Sequence, residues 1–132
     1  RTAAGFAAAA DRLAAPDAAT LAVFGAGKIA PATILYLCSI RPIRRVLLVS
    51  RSPERARTLV DKAKGWPALA GVEIETAQAQ AAAAADIIAT VTTSDHPVFP
   101  GDAVRPGALV ILGGANRPQA READDALIAR AT

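Results

Sequence analysis

The sequence predicts a doubly wound α/β domain: a parallel sheet of about five strands in the order 3-2-1-4-5, with helices on both faces, giving three layers. Three observations lead there. Short apolar runs of strand character alternate with stretches of helical spacing through all 132 residues, and that alternation implies right-handed βαβ units. The run Leu21 to Phe24 ends in Gly25-Ala26-Gly27, and a helical pattern opens within three residues of the second glycine. The run Arg45 to Ser50 is nearly continuously apolar, as a parallel strand covered on both faces must be.

Taken in order, Thr2 to Ala14 reads as an alanine-rich helix with Phe6, Ala9, Ala10 and Leu13 at helical spacing, stopped by Pro16 and Asp17. Its apolar stripe needs a partner surface, and part of it is expected to stay exposed where a further domain is missing. Thr20 to Phe24 is the first strand and Ile29 to Ile40 the first crossover helix. Pro31 falls in that helix's first turn, where its missing N–H has no acceptor to lose, and Ile34, Leu37 and Cys38 give the buried face. After the second strand, Ser52-Pro53-Glu54 starts a helix with a hydroxyl cap, a preset φ and an acid near the positive dipole end. That helix runs to about Lys64, where Gly65 and Pro67 end it.

Val72 to Thr76 is an edge strand, because Glu73 and Glu75 alternate with Val72, Ile74 and Thr76. Gln78 to Ala85 is a weak alanine helix. Asp86 to Thr92 is the fourth strand, leading into the loop Thr93-Ser94-Asp95-His96-Pro97. Leu109 to Leu112 is the fifth, between a Pro106-Gly107 turn and Gly113-Gly114. Arg121 to Ala131 reads as the last helix, with Leu127 and Ile128 facing inward.

A chain of this length is one domain with a single core, burying roughly two-thirds of the surface its unfolded state exposes. Hydrophobic residues reach 52% but aromatics only 4%, so core side chains are thin. The longest markedly apolar stretch, Ile34 to Ile40, is far short of the roughly 20 residues a membrane span needs. Nothing resembles a signal peptide, so a cytoplasmic location without membrane contact is expected. The chain starts at Arg1 and contains no methionine, as expected of a piece of something longer. Cys38, the only cysteine, reads as a buried core thiol.

The formal charge of +3 is uneven. Between Arg41 and Lys64 stand eight basic residues against Glu54 and Asp61, while the rest of the chain is net acidic. That segment has no aromatic residue to stack on bases, which argues against a nucleic-acid partner and for a compact anionic ligand or plain solvation.

The glycine turn supplies the chemistry for such an anion. Gly25 allows a tight turn, Gly27 lets the backbone approach a pyrophosphate, and Ala30 is small enough for close helix packing. The N–H groups at the start of the following helix, with its positive dipole end, face the ligand. NAD-binding versions place an acid about 20 residues further on, for the ribose 2′-OH. Here that place holds Ser50-Arg51-Ser52, and Arg51 and Arg55 stand one helical turn apart, able to grip a 2′-phosphate. The cofactor reading therefore favours NADP(H), with NAD(H) as the alternative; a helix cap with solvated arginines is the bland one.

His96, the single histidine, lies in a loop and reads as solvated rather than as a general acid. Glu122, Asp124 and Asp125 near a helix start read as capping rather than metal ligands. No hydrolase, zinc-protease or phosphate-loop motif occurs, and no metal site is expected.

Together these segments resemble the cofactor-binding domain of the ornithine cyclodeaminase/mu-crystallin family, over essentially the whole chain. The likeness rests on Arg1-Thr2-Ala3-Ala4; Gly25-Ala26-Gly27; Ser50-Arg51-Ser52-Pro53-Glu54-Arg55-Ala56; Thr90-Val91-Thr92-Thr93-Ser94; Pro106-Gly107-Ala108; and Gly114-Ala115-Asn116-Arg117-Pro118 through Glu122. The resemblance implies a homodimeric two-domain protein acting on an amino or imino acid with a nicotinamide dinucleotide. The implied activities are NADP(H)-linked imino-acid reduction or amino-acid dehydrogenation, cyclodeamination with an internally recycled NAD, or non-catalytic binding of NADPH and a small ligand. By the same likeness Arg1 contacts the substrate carboxylate, and Gly25, Ala26, Gly27, Lys28, Ile29, Ser50, Arg51, Ser52, Arg55, Thr92, Thr93, Gly113 and Gly114 adjoin the cofactor. The catalytic residues and the dimerising domain are implied to lie outside this stretch, which alone is no complete catalyst. Two departures stand out: Ile29 replaces the usual Gln after the glycines, and Ala123 replaces a larger aliphatic residue.

Overall fold

The computed structural model describes every residue from Arg1 to Thr132. In chain order the elements are α1 (Thr2–Leu13), β1 (Thr20–Phe24), α2 (Ala30–Ile40), β2 (Arg45–Val49), α3 (Pro53–Lys64), β3 (Glu73–Thr76), α4 (Ala81–Ala84), β4 (Ile87–Thr90), β5 (Leu109–Leu112) and α5 (Asp125–Arg130). The five strands form one parallel sheet in the order β3-β2-β1-β4-β5, the expected doubly wound arrangement. β1 is central, with Val23 in register between Leu48 and Ala89.

Strand alternation divides the core in two. Leu21, Val23, Val46, Leu48, Ile87 and Ala89 face the layer holding Ile34 and Leu37 of α2 and Leu59, Val60 and Ala63 of α3. Ala22, Phe24, Leu47 and Ile88 face the other way, against Ala81 and Ala82 of α4, Phe99 and Leu127 of α5. The second layer is thin because alanine fills much of it, and the Phe24–Phe99 pair, with ring centroids 5.1 Å apart, supplies its bulk. β3 is an edge strand as expected: Ile74 is buried, Glu73 and Glu75 are exposed, and Glu75 pairs with Arg45 on β2 at 2.6 Å. No helix is long and apolar enough to cross a membrane.

The inward face of α1 differs from the expected stripe. Ala3, Ala7 and Ala10 are buried, continued by Ala14, whereas Ala9 is exposed and Leu13 is 69% exposed. Small side chains let α1 lie close against α2, which a stripe of Phe6 and Leu13 would prevent. Arg41, just past α2, sets this packing. Its guanidinium donates to the carbonyls of Ala10, Asp11, Ala14 and Ala15 at 2.9–3.1 Å, and those of Asp11 and Ala14 are acceptors the backbone leaves free at the end of α1. One of the eight basic residues is thus structural, and Arg45 is committed to Glu75.

The last helix also departs from expectation. It begins at Asp125 rather than Arg121, with Asp124 as its cap through a 2.9 Å bond from the Leu127 N–H. Leu127 is buried but Ile128 is 58% exposed. Residues 121–124 form no helix because the Glu122 side chain is drawn into the sheet, a tertiary demand that outweighs helical spacing.

Candidate functional site

A cleft of about 540 Å³ opens at the carboxyl ends of β1, β2 and β4, where a doubly wound sheet places its ligand. Three segments line it. The first is the glycine turn after β1. Gly25 has φ +115°, and an added Cβ would stand 2.7 Å from the Val91 carbonyl oxygen, so only glycine fits between β1 and β4. A Cβ on Gly27 would meet nothing within 4 Å, because that residue faces open space. The N–H groups of Ala26, Gly27, Lys28 and Ile29 donate to no acceptor within the chain, while α2 begins directly behind them with Pro31 in its first turn. A row of free donors at a helix N-terminus suits a diphosphate.

The second segment is Ser50 to Arg55 after β2. The Ser50 hydroxyl accepts from the Ser52 N–H at 3.1 Å, leaving its own O–H free to donate. Ser52 caps α3 by accepting from the Arg55 N–H at 3.3 Å. Arg51 and Arg55 are exposed, both line the cleft and neither takes part in an ion pair. No aspartate or glutamate lines the cleft, so its electrostatics favour an anion.

The third segment is Val91 to Val98. Thr93 is exposed, and Thr92 is tied inward by Glu122, which does not cap a helix as its place in the sequence suggests. Glu122 is only 2% exposed. Its Oε1 accepts from the Thr92 N–H and the Thr92 hydroxyl, both at 2.7 Å. Its Oε2 accepts from the Thr90 hydroxyl at 2.7 Å and the Gly114 N–H at 2.8 Å. The carboxylate thus bridges the ends of β4 and β5. A threonine inside a fully buried strand was the available signal, since its hydroxyl demands a buried partner.

The remaining expected positions are distributed around this core. Lys28 and Ile29 are exposed on the turn, outside the cleft lining. Gly113 lies under the Phe6 ring, and Gly114 is packed against Thr92 and Glu122; in both cases a Cβ would collide, so these glycines serve close approach, and neither lines the cleft. Arg1 is exposed at the cap of α1. Because the far end of α1 meets Arg41 at the amino edge of the sheet and Phe6 meets Gly113 at the carboxyl edge, Arg1 stands on the cleft's side of the domain. His96 lines the cleft, is exposed, and lies 3.5 Å from the Asp95 carboxylate. Cys38 is a free, part-buried thiol away from the cleft, and burial pushes its pKa up to about 12.

Comparison with known proteins agrees with this geometry. The ornithine cyclodeaminase/mu-crystallin family model matches residues 1–132. The chain is 38% identical over 124 residues to a delta(1)-pyrroline-2-carboxylate reductase of Paracoccus denitrificans, covering 90% of this chain and 37% of that protein. It is 32% identical over 131 residues to the mouse ketimine reductase mu-crystallin, covering 99% of this chain and 40% of that protein. Among solved structures it superposes with TM-score 0.86 and 27% identity on the Thermococcus litoralis delta(1)-pyrroline-2-carboxylate reductase in complex with NADH and L-proline, covering 96% of this chain and 39% of that one. The chain spans about two-fifths of the length of these relatives.

Proposed function

This chain belongs to the ornithine cyclodeaminase/mu-crystallin family, and from that premise we propose that it is the NADP(H)-binding domain of a longer two-domain, homodimeric enzyme that reduces an imino acid. The observation that carries the reading is the pairing of four free N–H groups at the glycine turn with unpaired Arg51 and Arg55 at the end of β2. The turn holds the pyrophosphate through its backbone donors. Arg51, Arg55 and the Ser50 O–H hold the 2′-phosphate, and the absence of any carboxylate in the cleft removes the partner a bare ribose would use. NAD(H) therefore binds the same cleft more weakly.

Thr93 and the Val91–Val98 segment close the side of the cleft toward β4, and Arg1 supplies a guanidinium for the substrate carboxylate from the same edge of the sheet. The bound nicotinamide supplies the hydride. Proton delivery to the substrate nitrogen belongs to residues of the rest of the protein. The relatives named as a delta(1)-pyrroline-2-carboxylate reductase and a ketimine reductase support this substrate class.

The test is an assay of the full-length protein with a five- or six-membered cyclic imino acid and NADPH. Net NADPH consumption is the expected result. Ammonia release from ornithine with no net cofactor change would replace reduction with cyclodeamination, and binding without turnover of either would leave a binding protein.

A further inference from the structure

Much of the cleft's wall has no regular secondary structure to hold it. Residues 92–98 run from the end of β4 toward the turn at Gly101, and they are anchored by a single dipeptide, Arg121-Glu122. Beyond the Glu122 carboxylate, which takes both the N–H and the hydroxyl of Thr92, the Glu122 backbone carbonyl accepts from the Val98 N–H at 3.1 Å. The Arg121 N–H donates to the Ser94 carbonyl at 3.0 Å. The wall is thus pinned at its start, middle and end.

The Thr92 hydroxyl is used twice, donating to Glu122 and accepting from the Ser94 N–H at 3.1 Å. Its proton is not free for a ligand. Thr93, next along and exposed, has no such internal partner. We infer that Glu122 is a positioning residue for the cofactor: it touches no ligand itself, it fixes residues 92–98 against the cleft, and it leaves Thr93, not Thr92, to present a hydroxyl there. This rests on the cofactor reading above.

The carboxylate is suited to the task because all four of its partners are donors. A glutamine at this place has one acceptor oxygen and an NH₂ group, so it meets either the Gly114 N–H or the Thr92 N–H donor to donor. Glu122 sits at the ends of β4 and β5, with β1 between it and the Ser50–Arg55 segment that follows β2, so its effect does not depend on the 2′-phosphate.

The experiment titrates full-length wild-type, Glu122→Gln, Thr92→Val and Arg51→Ala proteins with NADPH and NADH, with hydrogen exchange of the amides followed in parallel. In Glu122→Gln and Thr92→Val, both dissociation constants are expected to rise by about tenfold, as the loss of one well-placed charged hydrogen bond would give. Their NADPH-to-NADH ratio stays at the wild-type value, whereas in Arg51→Ala it collapses. Exchange quickens at Thr92, Ser94 and Val98 but not in β1 or β2. A folded Glu122→Gln protein with unchanged affinity for both dinucleotides overturns the inference and leaves the cofactor reading standing. If Glu122→Gln fails to fold, Thr92→Val decides in the same way, since it keeps the backbone donors. Wild-type protein that binds neither dinucleotide overturns both.

Discussion

Gly25 and Val91 approach so closely that a methyl group at position 25 would stand 2.7 Å from the Val91 carbonyl oxygen. This contact joins the turn after β1 to the end of β4 and defines the cleft between them. With φ at +115°, an alanine there is strained as well as crowded. Gly25→Ala is expected to cost about 2–4 kcal/mol in urea unfolding. Gly27→Ala, with open space around its Cβ, should keep stability within about 0.5 kcal/mol yet weaken dinucleotide binding, because the methyl group enters the ligand's path. Equal loss of stability in both variants would contradict this division of labour.

Arg41 is expected to matter for stability and not for ligand binding, despite lying in the basic segment. Its guanidinium reaches four carbonyls at the end of α1, and Arg41→Ala leaves those of Asp11 and Ala14 without a partner, whereas Ala10 and Ala15 keep the Ala14 and Ala18 N–H groups. A loss of about 2–3 kcal/mol is expected. Arg41→Lys should recover little, since an ammonium lacks the planar fork that reaches several carbonyls at once. Unfolding midpoints of both variants, with NADPH affinity measured beside them, check this.

How much of this was legible in the sequence depends on the range of the forces involved. Strand alternation, the glycine turn and the Ser52-Pro53-Glu54 helix start are local signals, and the sheet they predict is the sheet observed. The start of α5 was not legible, because Glu122 answers to Thr90, Thr92 and Gly114, which lie up to 32 residues away. Nor was the face of α1: four alanines and an arginine beyond α2 decide it, whereas periodicity gives weight to Phe6 and Leu13. At the cleft, residue types revealed the glycine and arginine segments, but the wall at 92–98 is held by tertiary hydrogen bonds that no spacing announces.

Cys38 should be unreactive in the native protein. With its pKa pushed up to about 12 by burial, the thiolate is roughly one part in ten thousand at pH 8. A disulfide reagent at that pH is expected to label Cys38 only after urea is added. Rapid labelling of the folded chain would show that α2 opens locally.

Asp124 ties α5 to the turn at Gly101, and the N–H groups of Gly101 and Leu127 hold its pKa below the ordinary 3.8. A depressed folded value means the tie contributes fully above the ordinary range and is lost as the pH falls through the lower folded value. Asp124→Asn should therefore melt below wild type at neutral pH, and the gap should close as the solution is acidified past that range. A gap that widens in acid would reverse the sign.

The most direct test of the cofactor reading is the ratio of NADPH to NADH affinity in wild-type protein and in Arg51→Ala. Wild type is expected to prefer NADPH by about tenfold or more, and Arg51→Ala to erase most of that preference by weakening NADPH alone. Equal affinity of wild type for the two dinucleotides, unchanged by the substitution, would contradict it.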